Sequence, residues 1–406
     1  MVRERQLATV AALGTAQTIA WASTYYLPAM LAAPMARDLG VSTPTVFGAF
    51  SVALVVSAML GPYAGRSIDR WGGKSVLVGT NLVFAVGLAC LANAQGPVGL
   101  FGAWVVLGVG MGSGLYEAAF ATLVRLYGHD SRKAITGITL IAGFASTVGW
   151  PLSTFLEDQV GWRGACYAWA LLHLLMGVPL NLVVPKAVIG GVPSSAENMT
   201  TSVAEGQLDR ASAMRSAVLL ALVFAVTWFI STAMAAHLPR VLQAGGATLA
   251  AAVAVSALVG PAQVAARLLE FGFLKRAHPL FSARVAALMH PTGVVLFMFV
   301  GGPSAAVFAI LHGAGNGILT IARGTLPLVL FGPQGYGHRQ GLLMVPTRIA
   351  QAAPWLFGIC LDDWGIGALW LSAALGLLAV VALFVLRRPS EVTCSSGARI
   401  GNPNSL

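Results

Sequence analysis

Gly61-Pro-Tyr-Ala-Gly65-Arg66-Ser-Ile-Asp69-Arg70-Trp-Gly72-Gly73-Lys74 is a short charged segment wedged between two apolar runs. Residues 45–64 before it and 75–94 after it carry no charge. Each run is long enough to cross about 30 Å of hydrocarbon, so the segment between them is expected to be a tight hairpin at a membrane surface. Arg66, Asp69, Arg70 and Lys74 charge it, and its four glycines allow helix backbones to approach closely.

Working outward, the whole chain has the composition that this pair of runs implies. Of its 406 residues 57% are hydrophobic and 9% charged, against about 25% charged in an ordinary soluble domain. The net charge of +10 does not point to nucleic acid, because the basic residues lie in short loops between apolar spans. That is the distribution the positive-inside rule produces. The first apolar run, 7–30, is too long for a cleaved signal and reads as a first span. The four cysteines (Cys90, Cys166, Cys360, Cys394) have no metal-binding or disulfide spacing, and no motif calls for a cofactor.

Twelve spans follow from length and hydropathy: 7–30, 45–64, 75–94, 98–127, 134–156, 164–184, 217–238, 249–271, 285–301, 304–330, 340–361 and 365–386. With a cytoplasmic N-terminus, eighteen of the 24 basic residues fall on the cytoplasmic side, three (Arg37, Arg163, Arg240) on the other and three inside spans. Both termini and the Gly61–Lys74 segment are therefore expected in the cytoplasm. The polar stretch 185–215 reads as a flexible linker between a first half, 1–184, and a second, 216–388, with a cytoplasmic tail at 389–406. Gly114-Leu-Tyr-Glu-Ala-Ala-Phe-Ala-Thr-Leu123 aligns with Gly317-Ile-Leu-Thr-Ile-Ala-Arg-Gly-Thr-Leu326 at an offset of 203, as do Pro151 and Pro354. Gly61-Pro62 is echoed by Gly260-Pro261. The expected fold is an all-α membrane protein of twelve transmembrane helices, arranged as two pseudo-symmetric six-helix bundles.

The opening stretch now becomes specific. Gly65, Asp69, Arg70, Gly72 and Lys74 stand at the spacing of the loop between spans two and three of the major facilitator superfamily, which this chain resembles over roughly residues 5–388. Ser67 and Gly73 depart from the family pattern. The resemblance implies that these residues latch the two halves in one state of a transporter and do not touch substrate. A fainter likeness, Gly149-Trp-Pro151 followed by Gly161-Trp162-Arg163, is similar to span five of the monocarboxylate and oxalate–formate carriers.

Four ionisable side chains lie inside spans: Glu117, Arg267, Arg323 and Arg348, with Glu270 near a span end. Each costs about 2.5–3.5 kcal/mol to insert unpaired, so they must pair or face a wet cavity. The resemblance puts spans four and ten on the wall of a central cavity, and three guanidiniums against one carboxylate suit an anion. Arg323, Arg348 and Arg267 are the expected substrate residues, with Arg267 alternatively paired to Glu270. Glu117 is the candidate proton carrier. Gln17, Trp21 and Tyr25 recur every four residues on span one, and Gln17 and Trp21 are added as pocket residues. His237, His290 and His312 read as packing residues, His312 with a functional alternative.

No clustered acid, base, nucleophile or phosphate loop points to an enzyme. The expectation is a secondary transporter of a small carboxylate, proton-coupled or exchanging, acting as a monomer in a bacterial-type inner membrane. The alternatives are an efflux antiporter for neutral or cationic drugs, or a membrane sensor.

Overall fold

Eight stretches among the described residues are long and apolar enough to cross a membrane. Two of these, Gly96–Val183 and Tyr336–Val385, far exceed one crossing at about 1.5 Å per residue. The chain folds back inside them at glycines of positive φ: Gly128 and Gly161 in the first, Gly365 in the second. The structure is a computed structural model that describes residues 2–186, 203–272 and 277–386. Among them it is helical throughout, without strands.

Spans one to three are α1 (Val2–Ser23) continued by α2 (Leu27–Leu39), α3 (Thr43–Trp71) and α4 (Gly73–Ala92). Span four is α5 (Gly96–Gly114) followed by α6 (Tyr116–Tyr127), and span five is α7 (Arg132–Ala142) followed by α8 (Ala145–Leu172) as far as its kink at Gly161. Span six takes the rest of α8, a wide turn at His173–Gly177 and α9 (Val178–Val183). The second half comprises α10 (Val203–Ala244), α11 (Leu249–Ser256) with α12 (Val259–Gly272), α13 (Pro279–Val300), α14 (Ala305–Phe331), α15 (Tyr336–Gln351) with α16 (Pro354–Trp364), and α17 (Ala368–Val385). Counted by crossings among the described residues, this is twelve: eleven within the eight apolar stretches, and a first, α1 with α2, outside them. Two large buried apolar cores result, one running from Leu13 to Val184 and joined by Leu328 and Tyr336, the other from Leu220 to Leu386, with a small third cluster of Ala266, Ala286 and Ile318.

Three expectations need correction. The Gly61–Lys74 segment is not a hairpin along its whole length. α3 runs on through Arg66, Asp69 and Arg70 to Trp71, and only Gly72, at φ 86°, turns the chain. Charge does not end a helix; a residue free to take positive φ does. The stretch 185–215 is not coil throughout, because α10 starts at Val203. Residues 187–202 of that linker and the tail from 387 onward lie outside the described residues, as do Lys275 and Arg276.

The third correction concerns register. An added Cβ at Gly108 or Gly112 of α5 would strike the carbonyls of Ala53 or Ser57 on α3. At Gly313 or Gly317 of α14 it would strike those of Val259 or Gln263 on α12. Gly110 meets Phe84, and Gly315 meets Met289. The same small-residue crossing is thus built twice, the glycines of α5 and α14 at an offset of 205 rather than 203 and their partners on α3 and α12 at 206. In that register Arg323 corresponds to Ala118, next to Glu117.

Candidate functional site

Two broken helices meet near the middle of the bundle. α5 stops at Gly114 because Leu115 takes an extended conformation, and α6 restarts at Tyr116. The break frees the Gly114 carbonyl, and the Gln17 side-chain amide donates to it at 2.7 Å. Glu117 consequently lies in the first turn of α6, where the helix dipole favours a carboxylate. On the opposite half, α15 ends before Pro354, which forbids Ala353 a helical conformation. Arg348 therefore sits in the last turn of α15, where a cation is favoured. The two meet: Arg348 Nη2 donates to Glu117 Oε2 at 2.8 Å, with the side chains 5% and 15% exposed. Arg348 Nη1 also donates to Gln351 at 3.3 Å. The pair lines a narrow cleft together with Ser57, Gly61, Gly112, Gly341 and Met344.

Arg323 is different. Its guanidinium lies 4.0 Å over the Trp228 ring, and its Nε has no partner among the described residues, although the residue is only 5% exposed. Its electrostatic neighbours include Glu117, Arg348, Tyr116 and Arg267. Arg267 spends its donors on neutral acceptors: Thr139 O at 3.0 Å, Gly317 O at 3.4 Å and Thr320 Oγ1 at 3.5 Å. The expected alternative pairing of Arg267 with Glu270 is not formed. Glu270 turns to Arg132, at 3.8 Å, because α7 brings that guanidinium against the end of α12. With Glu117 committed to Arg348, two buried guanidiniums are left without a carboxylate partner among the described residues.

Trp21 packs in a ring cluster with Tyr25 (5.2 Å), Tyr26 (6.4 Å) and Tyr116 (4.9 Å). Gln17 supports the helix break rather than facing Arg323. Trp228 and Tyr116 were not singled out in the sequence. Nothing local marks either of them among the apolar residues of its span.

The Gly65–Lys74 segment lies where the halves touch. Gly65 and Gly337 approach so closely that a Cβ on either would overlap the other's backbone, and Gly341 abuts Pro62 in the same way. Across this crossing Asp69 accepts from the backbone N–H of Gly337 at 2.9 Å and of His338 at 2.8 Å. It thereby caps the N-terminus of α15, a helix of the other half, whose own N-cap is Gly335 with no side chain to offer. Arg66 reaches His338 at 3.2 Å. Lys74 donates to Leu182 O at 2.5 Å within its own half, and Arg70 rests beside Trp71 at 5.3 Å. Gly73, a departure from the family spacing, is where Thr122 leaves no room for a Cβ. A second tie at this end joins Arg132 to Ala277 O at 2.9 Å.

At the opposite end the ion pairs stay within each half: Arg163 with Asp38 at 2.9 Å, and Arg240 with Asp362 at 2.5 Å. Trp162 also donates to Asp38, and Arg163 to the carbonyls of Ala92 and Ala94. The Gly161-Trp162-Arg163 motif therefore fastens an outer corner and lies away from Arg323. Among the described residues no cluster of three His, Cys, Asp or Glu could hold a metal.

Comparison with known proteins agrees with this architecture. An uncharacterized 38 kDa protein from Thermoproteus tenax is 29% identical over 379 residues, covering 91% of this chain and 93% of the relative. Partial matches differ in the substrates their names carry. The multidrug resistance protein MdtL of Klebsiella pneumoniae is 32% identical, over 36% of this chain and 37% of its own. The 4-hydroxybenzoate transporter PcaK of Pseudomonas putida is 25% identical, over 39% and 35%. The solved structure of the proton:xylose symporter XylE superposes with a TM-score of 0.74 at 14% identity, covering 94% of this chain and 95% of that one. The Major Facilitator Superfamily profile matches residues 13–345, and the chain belongs to that family as a membrane transporter, not an enzyme.

Proposed function

We propose that the protein is a secondary transporter of a small organic anion of the carboxylate type, and that Arg323 is its docking cation. The observation that carries this reading is the buried Arg323 guanidinium, whose Nε has no hydrogen-bond partner and which has no salt-bridged carboxylate among the described residues. A charge so placed is costly unless a ligand completes it, and a guanidinium fork offers a carboxylate two parallel hydrogen bonds. Arg267, which is held by carbonyls, adds positive potential without offering its donors, and Arg348 is the reserve cation.

Glu117 is the proposed coupling group. While ionised it occupies Arg348. When it takes a proton the pair dissolves, and Arg348 is released to the substrate carboxylate. One proton would then travel with one negative charge. Gln17 and Trp21 are assigned to shaping the chamber. Gly65, Asp69, Arg70, Gly72 and Lys74 are assigned to the latch that keeps the halves together at the Gly72 end. That end is proposed to be cytoplasmic, so the state described here is closed to the cytoplasm. Positive-inside counting supports this orientation, with the halves 1–184 and 216–388 acting as monomer-borne rocking units in an inner membrane.

The test is transport by the purified protein in liposomes. Small carboxylates are expected to be taken up with an inward proton gradient, and Glu117→Gln to remove the pH dependence while leaving counterflow exchange. Movement of cationic or neutral compounds with no carboxylate transport would sink the proposal and favour drug efflux.

A further inference from the structure

The surroundings of Arg323 are built of rings. Trp228 lies under the guanidinium at 4.0 Å, Tyr25 is 6.3 Å from Trp228, Trp21 is 5.2 Å from Tyr25, and Tyr116 is 4.9 Å from Trp21. Phe120 stacks on Tyr116 at 5.4 Å with the planes 8° apart. This band crosses from α10 in one half to α6 in the other. It passes through Tyr25, in the break between α1 and α2, where the residue lies within electrostatic reach of both Arg323 and Arg348. The band carries two buried donors without partners among the described residues, Arg323 Nε and Trp21 Nε1, in residues 5% and 3% exposed. Both open donors lie on one continuous band that runs up to a cation with no salt-bridged carboxylate among the described residues. A ligand with an anionic end and a flat apolar body would complete both.

We propose that the substrate is an aromatic monocarboxylate. Its carboxylate docks on the Arg323 fork, and its ring lies against the Trp228–Tyr25–Trp21 band. One open fork matches one carboxylate, and edge-to-face or offset contacts with the band select a π-system over an aliphatic body of equal size. This rests on the anion reading of Arg323, and the two can fail separately.

The experiment measures binding to the full-length protein in detergent by calorimetry, with benzoate, cyclohexanecarboxylate and benzylamine as probes. Benzoate is expected to bind about tenfold tighter than cyclohexanecarboxylate, the size of one or two good ring contacts. Trp228→Leu is expected to bring that ratio close to one, and Trp228→Phe to keep most of it. If the leucine variant does not fold, the wild-type ratio and the phenylalanine variant still decide. Equal binding of the two carboxylates by the wild type overturns the aromatic assignment and leaves the anion reading standing. Binding of benzylamine with neither carboxylate overturns both, and binding of none of the three overturns the aromatic assignment.

Discussion

At the scale of single residues, the centre of the molecule is decided by how four ionisable side chains divide their partners. Glu117 and Arg348 satisfy one another, each at the helix end whose dipole suits it, so removing either leaves a charge buried alone. Glu117→Ala or Arg348→Ala is expected to cost about 3 kcal/mol, and the double variant clearly less than the sum. Unfolding of the three variants in detergent measures this, and additive losses would mean that the pair is not coupled. Arg323 has no such partner, so its replacement should spare stability and strike binding. Arg323→Lys keeps the charge but loses the planar fork and its seat on Trp228, and carboxylate affinity is expected to fall about tenfold or more. The melting temperature is expected to stay within about 2 °C, since no protein contact to a carboxylate is lost. Wild-type affinity in this variant would remove Arg323 from the docking role.

At the scale of elements, breaks and crossings matter more than the spans themselves. The α5–α6 break is held by Gln17, which answers the carbonyl that Leu115 exposes, and it sets Glu117 at a helix start. The α3–α15 crossing brings two backbones together at Gly65 and Gly337, close enough for Asp69 to cap a helix it does not belong to. An inter-element cap of this kind is worth about 1 kcal/mol. Hydrogen exchange of the Gly337 and His338 amides reports it directly. Asp69→Ala is expected to speed exchange there several-fold, Asp69→Asn less, with the interior of α14 unchanged. Unaltered exchange in the alanine variant would leave Asp69 without a capping role in solution. The polar relay Ser23–His173–Asn81, with both contacts at 2.8 Å, ties α1, the wide turn and α4 in the same fashion.

At the scale of the whole molecule, the contacts between halves gather at the Gly72 end, while ion pairs at the other end remain inside each half. The central cavity is therefore expected to be reached from the Arg163 end. In a variant lacking the four native cysteines, Ser57→Cys lines that cavity. Its thiol is expected to react with a membrane-impermeant reagent added from outside, and a bound carboxylate should slow the reaction. Labelling only from the cytoplasmic face would reverse the proposed state of the transporter.

The family was legible in the spacing of Gly65, Asp69, Arg70, Gly72 and Lys74, while composition and the length of apolar runs were sufficient for the class and the number of crossings. The class and the crossings depend on the bilayer as solvent, which acts on each residue independently of its partners. The four intramembrane charges were legible for the same reason, since each is expensive wherever it points. Their pairing was not legible. Whether Arg267 turns to Glu270 or to Thr139, and whether Glu117 meets Arg323 or Arg348, depends on helix rotation, on breaks at Leu115 and Ala353, and on a register of 205. These are set by backbone contacts between glycines and carbonyls far apart in the chain. Only the tertiary structure brings Trp228 beneath Arg323 and leaves that one guanidinium open.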